Sequence, residues 1–504
     1  MKPSENDETL ARWRLASVSS SRICGSRVVA VTLHCGMFDA MTPAIWQDPK
    51  RYLWAIALTM PLLPWLALGL HAASGAGIWL WLGPIVTLGV VPLLDVITGV
   101  DRANPPAELT AALEADRYYR WVTYLFLPLQ YAGFVAAFYV IARGDLSVAE
   151  CIGLSATVGF IGGLGINTAH ELGHKKESVE RWLSKIALAQ SWYGHFYIEH
   201  NRGHHVRVAT PEDPASSRLG ESFYRFWPRT VAGSLRSAWH LEARRYARIG
   251  QHPFRPGNNV LNAWLLSAVL WTVMVLWLGV EILPYLVLQG VIGFTLLEAV
   301  NYLEHYGLLR QRVGAPGRER YEHVAPRHSW NSNHLTTNVL LYHLQRHSDH
   351  HAHPTRRYQA LRDHAEAPVL PTGYAGMILL ALVPPLWYRV VNPRVLAHYG
   401  GDVRLANVAP HAQARLLARY PAPSHSTAIH SRSGPQHDGN TAPATFAADA
   451  YSCPGCGYTY APRRGAPREG YPAGTPWADL PGDWPCPDCG VREKTDFVPV
   501  SVAI

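Results

Sequence analysis

The stretch SVAECIGLSATVGFIGGLGINTAHELGH, residues 147–174, decides the fold. Its first part, 147 to 168, supplies the roughly 20 apolar residues that a ~30 Å hydrocarbon core requires, and it runs on into His170 and His174. Side chains four apart are neighbours on one helical face, so two imidazoles leave the end of a membrane helix in the same direction. Five other stretches read as spans, near 52 to 71, 78 to 98, 121 to 142, 260 to 281 and 283 to 304. Pro61, Pro64 and Pro128 do not exclude them, because membrane helices tolerate proline. The run 374 to 391, with Pro384 and Pro385, is expected to lie at the interface or pack on the body. A mean hydropathy of −0.03 hides this pattern by averaging apolar segments with a His- and Arg-rich remainder.

Charge sets an orientation. The connections 72 to 77 and 281 to 284 lack Lys and Arg, whereas 101 to 120 and 170 to 257 are rich in them. The positive-inside rule therefore predicts both termini and every histidine group on the cytoplasmic side. The apolar run Val28 to Phe38 is short and lacks a convincing cleavage site, so no cleavable signal is expected. Residues 1–43 read as a poorly ordered extension, with Met41 as an alternative start, and 44–409 as the membrane body.

Nine histidines cluster at the cytoplasmic flanks: His170 and His174; His200, His204 and His205; His305; and His347, His350 and His351. A catalytic zinc uses at most three histidines, so this constellation predicts two metals. His200 and His204 repeat the four-residue spacing that lets two imidazoles share an ion, and His205, about 100° round the helix, could reach the second; the sequence leaves the division of ligands between the ions open. Each group alone has a plainer reading. A lone His305 is more often structural, and His170, Glu171 and His174 also match a zinc-protease motif with Glu171 as general base. Convergence of all four groups carries the two-metal reading. His343, four residues before His347, is a tenth candidate and is read as an outer residue rather than a ligand. His195, His323, His328, His334 and His353 are read as surface, structural or outer residues. Intramembrane carboxylates are functional candidates by default. Glu298, seven residues before His305, is expected to orient an imidazole, and Asp95 to act there too or as a cap or interfacial group.

The C-terminal part is separate. Residues 410–448, Pro-, Ser-, Gly- and Ala-rich from about Pro421, read as a flexible linker. Residues 449–504 are too few to be stable on their own core without a staple. Cys453 and Cys456, with Cys486 and Cys489, form two CxxC pairs, which bind metal rather than form disulfides in a cytoplasmic context. Cys24, Cys35 and Cys151 are scattered and read as reduced thiols. The pairs alone would suit a zinc ribbon. Tyr451, Tyr458, Tyr460, Trp477, Trp484 and Phe497 favour an apolar shell around an electron-transfer iron. From Asp449 onward there are five Lys plus Arg against seven Asp plus Glu, −2, while the remainder carries 40 against 30, +10. Opposite signs favour docking of the tail on the basic face, which could equally meet anionic lipid.

Imidazole suits iron, zinc, copper and nickel alike. An appended electron carrier selects iron, because zinc has no redox chemistry. The run Asp483-Trp484-Pro-Cys486-Pro-Asp-Cys489-Gly resembles rubredoxin, which carries one iron on four cysteines. The boxes His170-Glu-Leu-Gly-His174-Lys175, Glu199-His200-Asn-Arg-Gly-His204-His205, Asn301-Tyr-Leu-Glu-His305-Tyr-Gly and Leu344-Gln-Arg-His347-Ser-Asp-His350-His351 resemble those of membrane alkane 1-monooxygenases over about 50 to 405. The Asn301 box separates that family from acyl-lipid desaturases, which remain the alternative, with a membrane zinc protease behind them. The resemblance implies an all-α polytopic protein of about six transmembrane helices with a cytoplasmic cap holding two nonhaem irons on the nine histidines, plus a small β-rich rubredoxin domain. It implies hydroxylation of the terminal methyl of medium-chain n-alkanes with O2, an apolar tunnel, a flavin- and nicotinamide-dependent rubredoxin reductase, a bacterial inner membrane and no nucleic-acid partner.

Overall fold

A computed structural model describes residues 46–317, 319–421 and 450–500. The whole of the expected N-terminal extension, 1–43, and the linker from 422 onward lie outside the described residues. Among those described, six helices are long and apolar enough to cross a membrane: Leu53–Ser74, Gly77–Thr98, Arg117–Ala142, Val148–Gly173, Asn259–Leu278 and Val280–His305. The protein is a multi-pass membrane protein, and the six expected spans are these six helices. The first opens as a 3-10 helix, Leu53–Leu62, containing Pro61, before its α-helical half, Leu63–Ser74.

The fourth helix is the hub. Ser147 and Glu150 form a capping box at its start, satisfying N–H groups that the first turn leaves without intrahelical partners. Its glycines let neighbours approach closely. A Cβ on Gly159 would stand 2.8 Å from the carbonyl of Gln289, and one on Gly165 2.2 Å from the Gln130 amide. Small residues of this kind are how membrane helices gain packing contact where hydrophobic driving force is absent. The third and sixth helices therefore press directly on the helix that carries His170.

The run after residue 371 packs on the body, as expected. Tyr374–Ala381 and Pro384–His398 are helices whose Met377, Trp387 and Val391 are buried with Tyr302 and Tyr306 of the sixth-helix end. Structure also continues into the stretch expected as linker. Gln413–Arg419 is helical, because Ala412 and Leu416 are buried against Gly220, where a Cβ would meet them at 2.7 and 3.1 Å.

The C-terminal domain has a three-stranded antiparallel sheet with Ala450–Ser452 between Thr459–Tyr460 and Val498–Val500. It sits on the polar face of the membrane body. Arg202 meets Glu469 at 2.8 Å, Lys176 meets Asp488 at 3.9 Å and His323 meets Asp496 at 3.3 Å. Arg248 donates to the Glu469 carbonyl at 2.7 Å, and Lys176 to the Cys456 carbonyl at 2.8 Å. Acidic groups of the tail thus meet basic groups of the body, the pairing that the opposite net charges anticipate.

Candidate metal centres

The nine histidines converge into two groups: His170, His174, His200, His205 and His350; and His204, His305, His347 and His351. All nine are buried. Within the first group, Nε2 atoms approach at 2.9 Å for His170 and His350, 3.2 Å for His350 and His205, and 3.0 Å for His205 and His200. Within the second, the separations are 3.2 Å for His204 and His351, 2.8 Å for His351 and His347, and 3.2 Å for His347 and His305. With metal–nitrogen bonds of about 2.1 Å, ligands at right angles stand about 3.0 Å apart. A neutral imidazole carries one N–H, so runs of Nε2 atoms cannot all hydrogen-bond to each other. The buried Nε2 of His174 has no hydrogen-bond partner at all. A cation within each group resolves both conditions, and the histidine groups fit a diiron centre.

Burial tunes the ligands outside the membrane spans. It pushes His174, His200, His205, His347, His350 and His351 well below the usual imidazole range, with neighbouring imidazoles adding to the effect. The rings are therefore neutral near pH 7, the form that binds metal.

In the second box the structure divides the histidines otherwise than four-residue spacing suggests. His200 groups with His205, and His204 falls in the other group. The cause is local: Glu199–His204 is a π-helical turn, and the His205 N–H donates to the His200 carbonyl five residues back. Widening the turn brings the fifth residue, rather than the fourth, back towards the first. His204 is then steadied by Asp213, whose carboxylate lies 2.9 Å from its Nδ1.

The other candidates lie elsewhere. Glu298 accepts from Tyr193 at 2.6 Å, Thr230 at 2.8 Å and Asn301 at 3.1 Å, a network that ties helices together rather than an imidazole contact. Asp95 accepts from the backbone N–H and hydroxyl of Thr337, at 2.8 and 2.5 Å, near the start of the short helix Leu335–Leu340. It holds a helix start, as a cap does. His343 stands outside both groups, its Nδ1 2.9 Å from the Tyr358 carbonyl and its Nε2 3.3 Å from Lys50. Glu171 is bound to Lys175 at 2.8 Å, so it is not a free general base and the zinc-protease alternative loses its catalytic group. Sequence reasoning passed over Asp213 and Glu304. The latter lies beside His305, with Oε2 3.2 Å from His347 Nε2.

The four cysteines form a third group. Cys453 and Cys489 sulfurs are 3.8 Å apart and those of Cys456 and Cys486 3.5 Å, close to the ~3.8 Å edge of a tetrahedron with metal–sulfur bonds of about 2.3 Å. Gly457 and Gly490 follow the two knuckles at φ +71° and +67°, a region that glycine enters without strain. The expected aromatic shell is present: Tyr451 stacks on Trp477 at 4.1 Å and Phe497 lies 5.9 Å from Trp484. The second knuckle rests on the π turn, since a Cβ on Gly490 would stand 3.5 Å from His205 Cβ.

A narrow apolar cavity of about 80 Å³ runs from His170, His200 and His347 into the membrane body, lined by Phe160, Leu164, Leu296 and Val300 among others.

Comparison with known proteins agrees with this construction. The fatty acid desaturase family model matches residues 148–381, and the rubredoxin model matches 450–497. The alkane 1-monooxygenase of Pseudomonas putida is 44% identical over 373 residues, 74% of this chain and 92% of that protein. That of Acinetobacter baylyi is 46% identical over 379 residues, 74% of this chain and 91% of its own length. The xylene/toluene monooxygenase hydroxylase component of Pseudomonas putida is more distant, at 27% over 332 residues, covering 64% of this chain and 85% of that protein. Identity at this level across nearly the whole of the first two enzymes, together with the matched C-terminal segment, means that this chain belongs to the alkane 1-monooxygenase family and carries a rubredoxin domain.

Proposed function

We propose that this chain hydroxylates the terminal methyl of medium-chain n-alkanes, with electrons delivered by its own rubredoxin domain. The observation that carries the substrate reading is the cavity, which joins the two histidine groups to an apolar interior. An alkane has no polar handle, so shape must position it. Phe160 and His170 are ten residues apart on one helix, about 15 Å at 1.5 Å per residue. Carbon–carbon bonds of about 1.5 Å at tetrahedral angles advance ~1.25 Å each, so that depth admits about 12 carbons.

His170, His174, His200, His205 and His350 would hold one iron, and His204, His305, His347 and His351 the other. When bound, the irons supply dioxygen activation. The chain's contribution is to aim the methyl group at this end of the cavity, exclude water along its apolar wall, and fix the imidazoles from behind, as Asp213 does for His204. The reaction consumes an alkane, O2, two electrons and two protons, and yields a 1-alkanol and water. Cys453, Cys456, Cys486 and Cys489 would bind one iron that passes single electrons, so each turnover needs two reductions, which we assign to a flavin- and nicotinamide-dependent rubredoxin reductase. The seat of Gly490 against His205 supports delivery in cis. The Arg- and Lys-rich connections support a cytoplasmic position for the centres and both termini in a bacterial inner membrane, reached by alkane through the bilayer.

The test is metal analysis and product analysis on the full chain with octane or dodecane, O2, reductase and nicotinamide cofactor. About three irons per chain, two on histidine and one on cysteine, and 1-alkanol are expected. Zinc as the dominant metal, or unsaturated acyl lipid as the product, would refute the proposal.

A further inference from the structure

The two histidine groups are unequal, five imidazoles against four. Glu304 stands at the shorter one. It is 2% exposed, and its Oε2 lies 3.2 Å from His347 Nε2. That separation matches the spacing of the imidazole nitrogens themselves, 2.8 Å from His347 to His351 and 3.2 Å from His347 to His305. The Tyr374 hydroxyl donates to the same carboxylate and holds it in place. The contact with His347 points to a ligand, because the atom beside Oε2 is the metal-facing nitrogen of a histidine.

We propose that Glu304 is a tenth protein ligand, closing the four-histidine group with a carboxylate oxygen. The proposal rests on the reading that both groups hold iron. Charge argues for it as well as spacing. Nine neutral imidazoles bring no negative charge to two divalent ions, and uncompensated charge in a buried site is expensive. A carboxylate is a suitable partner for iron alongside imidazole. The Asp213 carboxylate serves the same group only indirectly, through His204 Nδ1. Glu304 also lines the cavity with His170 and His347, so this oxygen stands where the substrate space meets the metal group.

The experiment uses the full chain loaded with iron-57 and reduced without oxygen, as wild type, Glu304→Gln and Glu304→Asp. Mössbauer spectra and total iron are recorded before and after a chelator challenge, with the cysteine-bound iron as internal standard. Wild type is expected to show two nitrogen/oxygen-ligated ferrous components beside the tetrathiolate one. In Glu304→Gln, one component should shift or disappear while the other is unchanged, and iron retention at that site should fall by more than the ~10- to 100-fold typical of outer partners. Glu304→Asp, which keeps the charge on a shorter arm, should recover the lost ion with altered parameters. Unchanged components and wild-type retention in Glu304→Gln would overturn the proposal. So would equal loss of both components in both variants, which would make Glu304 a structural residue. Absence of both components from wild type would instead refute the histidine-bound iron pair itself.

Discussion

Truncating Phe160 should lengthen the alkane that the protein accepts. Among the cavity-lining residues of the fourth helix, Phe160 is the furthest from His170. Replacing Phe160 with Ala removes a ring reaching about 4 Å from Cβ, by covalent lengths near 1.5 Å, which is room for about three more carbons. The energetics fix the form of the result. A substrate arriving from the bilayer leaves surroundings as apolar as the cavity, so added methylenes bring little affinity. Rates referred to alkane concentration in the membrane should therefore vary little with length up to the limit. Beyond it, forcing a methylene against a packed wall costs about 1–3 kcal/mol, roughly a 5- to 150-fold drop. Wild type should break near 12 carbons and Phe160→Ala near 15. The assay is competition among even-numbered alkanes from C8 to C18 in proteoliposomes, with 1-alkanols quantified by chromatography and iron content measured in parallel. An unchanged break in a variant that keeps its iron would refute the assignment of Phe160 as the end wall.

Further outcomes follow from the metal groups and the docked domain. His305→Ala should lower histidine-bound iron and abolish hydroxylation while leaving the rubredoxin spectrum intact; full activity would show that His305 is structural. His343→Ala should retain both histidine-bound irons, because the ring lies on Tyr358 and Lys50 rather than in either group, and loss of an iron on metal analysis would contradict this. Neutralising Arg202 and Glu469, singly and together, should reveal coupling of about 1.5–3 kcal/mol in the docked state, read as slower rubredoxin reoxidation in stopped flow with weaker effects at high salt; strict additivity would remove the ion pair from the docking account. The metal-free protein should lose stability as pH falls below about 6.5, because the unfolded histidines take up protons there while burial holds His200, His205, His350 and His351 neutral in the fold. Denaturant midpoints that stay flat from pH 7.5 to 5.5 would argue against such neutral burial.

The membrane architecture was legible because each span carries its own signal: length, apolarity and the charge of its flanks. The histidines were legible for a related reason, since three short boxes place imidazoles at helical spacing and a fourth, with His305 alone, closes a membrane helix. What spacing could not supply was the division between ions. The four-residue rule pairs His200 with His204, and only a backbone departing from α geometry over Glu199–His204 pairs His200 with His205 instead. Glu298 misled for a similar reason. Its distance from His305 along the helix was right for one face, but Tyr193 and Thr230, remote in sequence, claim its carboxylate. Glu304 and Asp213 gave weak signals, one hidden next to a histidine and the other in a Pro-flanked loop, and both emerge only when long-range packing is known.

The π turn has a consequence for how this box can vary. A single-turn widening of this kind amounts to one extra residue within an α-helical frame. Deleting any one position between His200 and His205, Gly203 for instance, would let the helix close up and carry an imidazole from one ion towards its neighbour, although no ligand had been replaced. Point substitutions in this turn probe side chains one at a time. A change in its length would re-wire the centre at once, so the hexapeptide from His200 to His205 should be far less tolerant of insertions and deletions than of exchanges at Asn201.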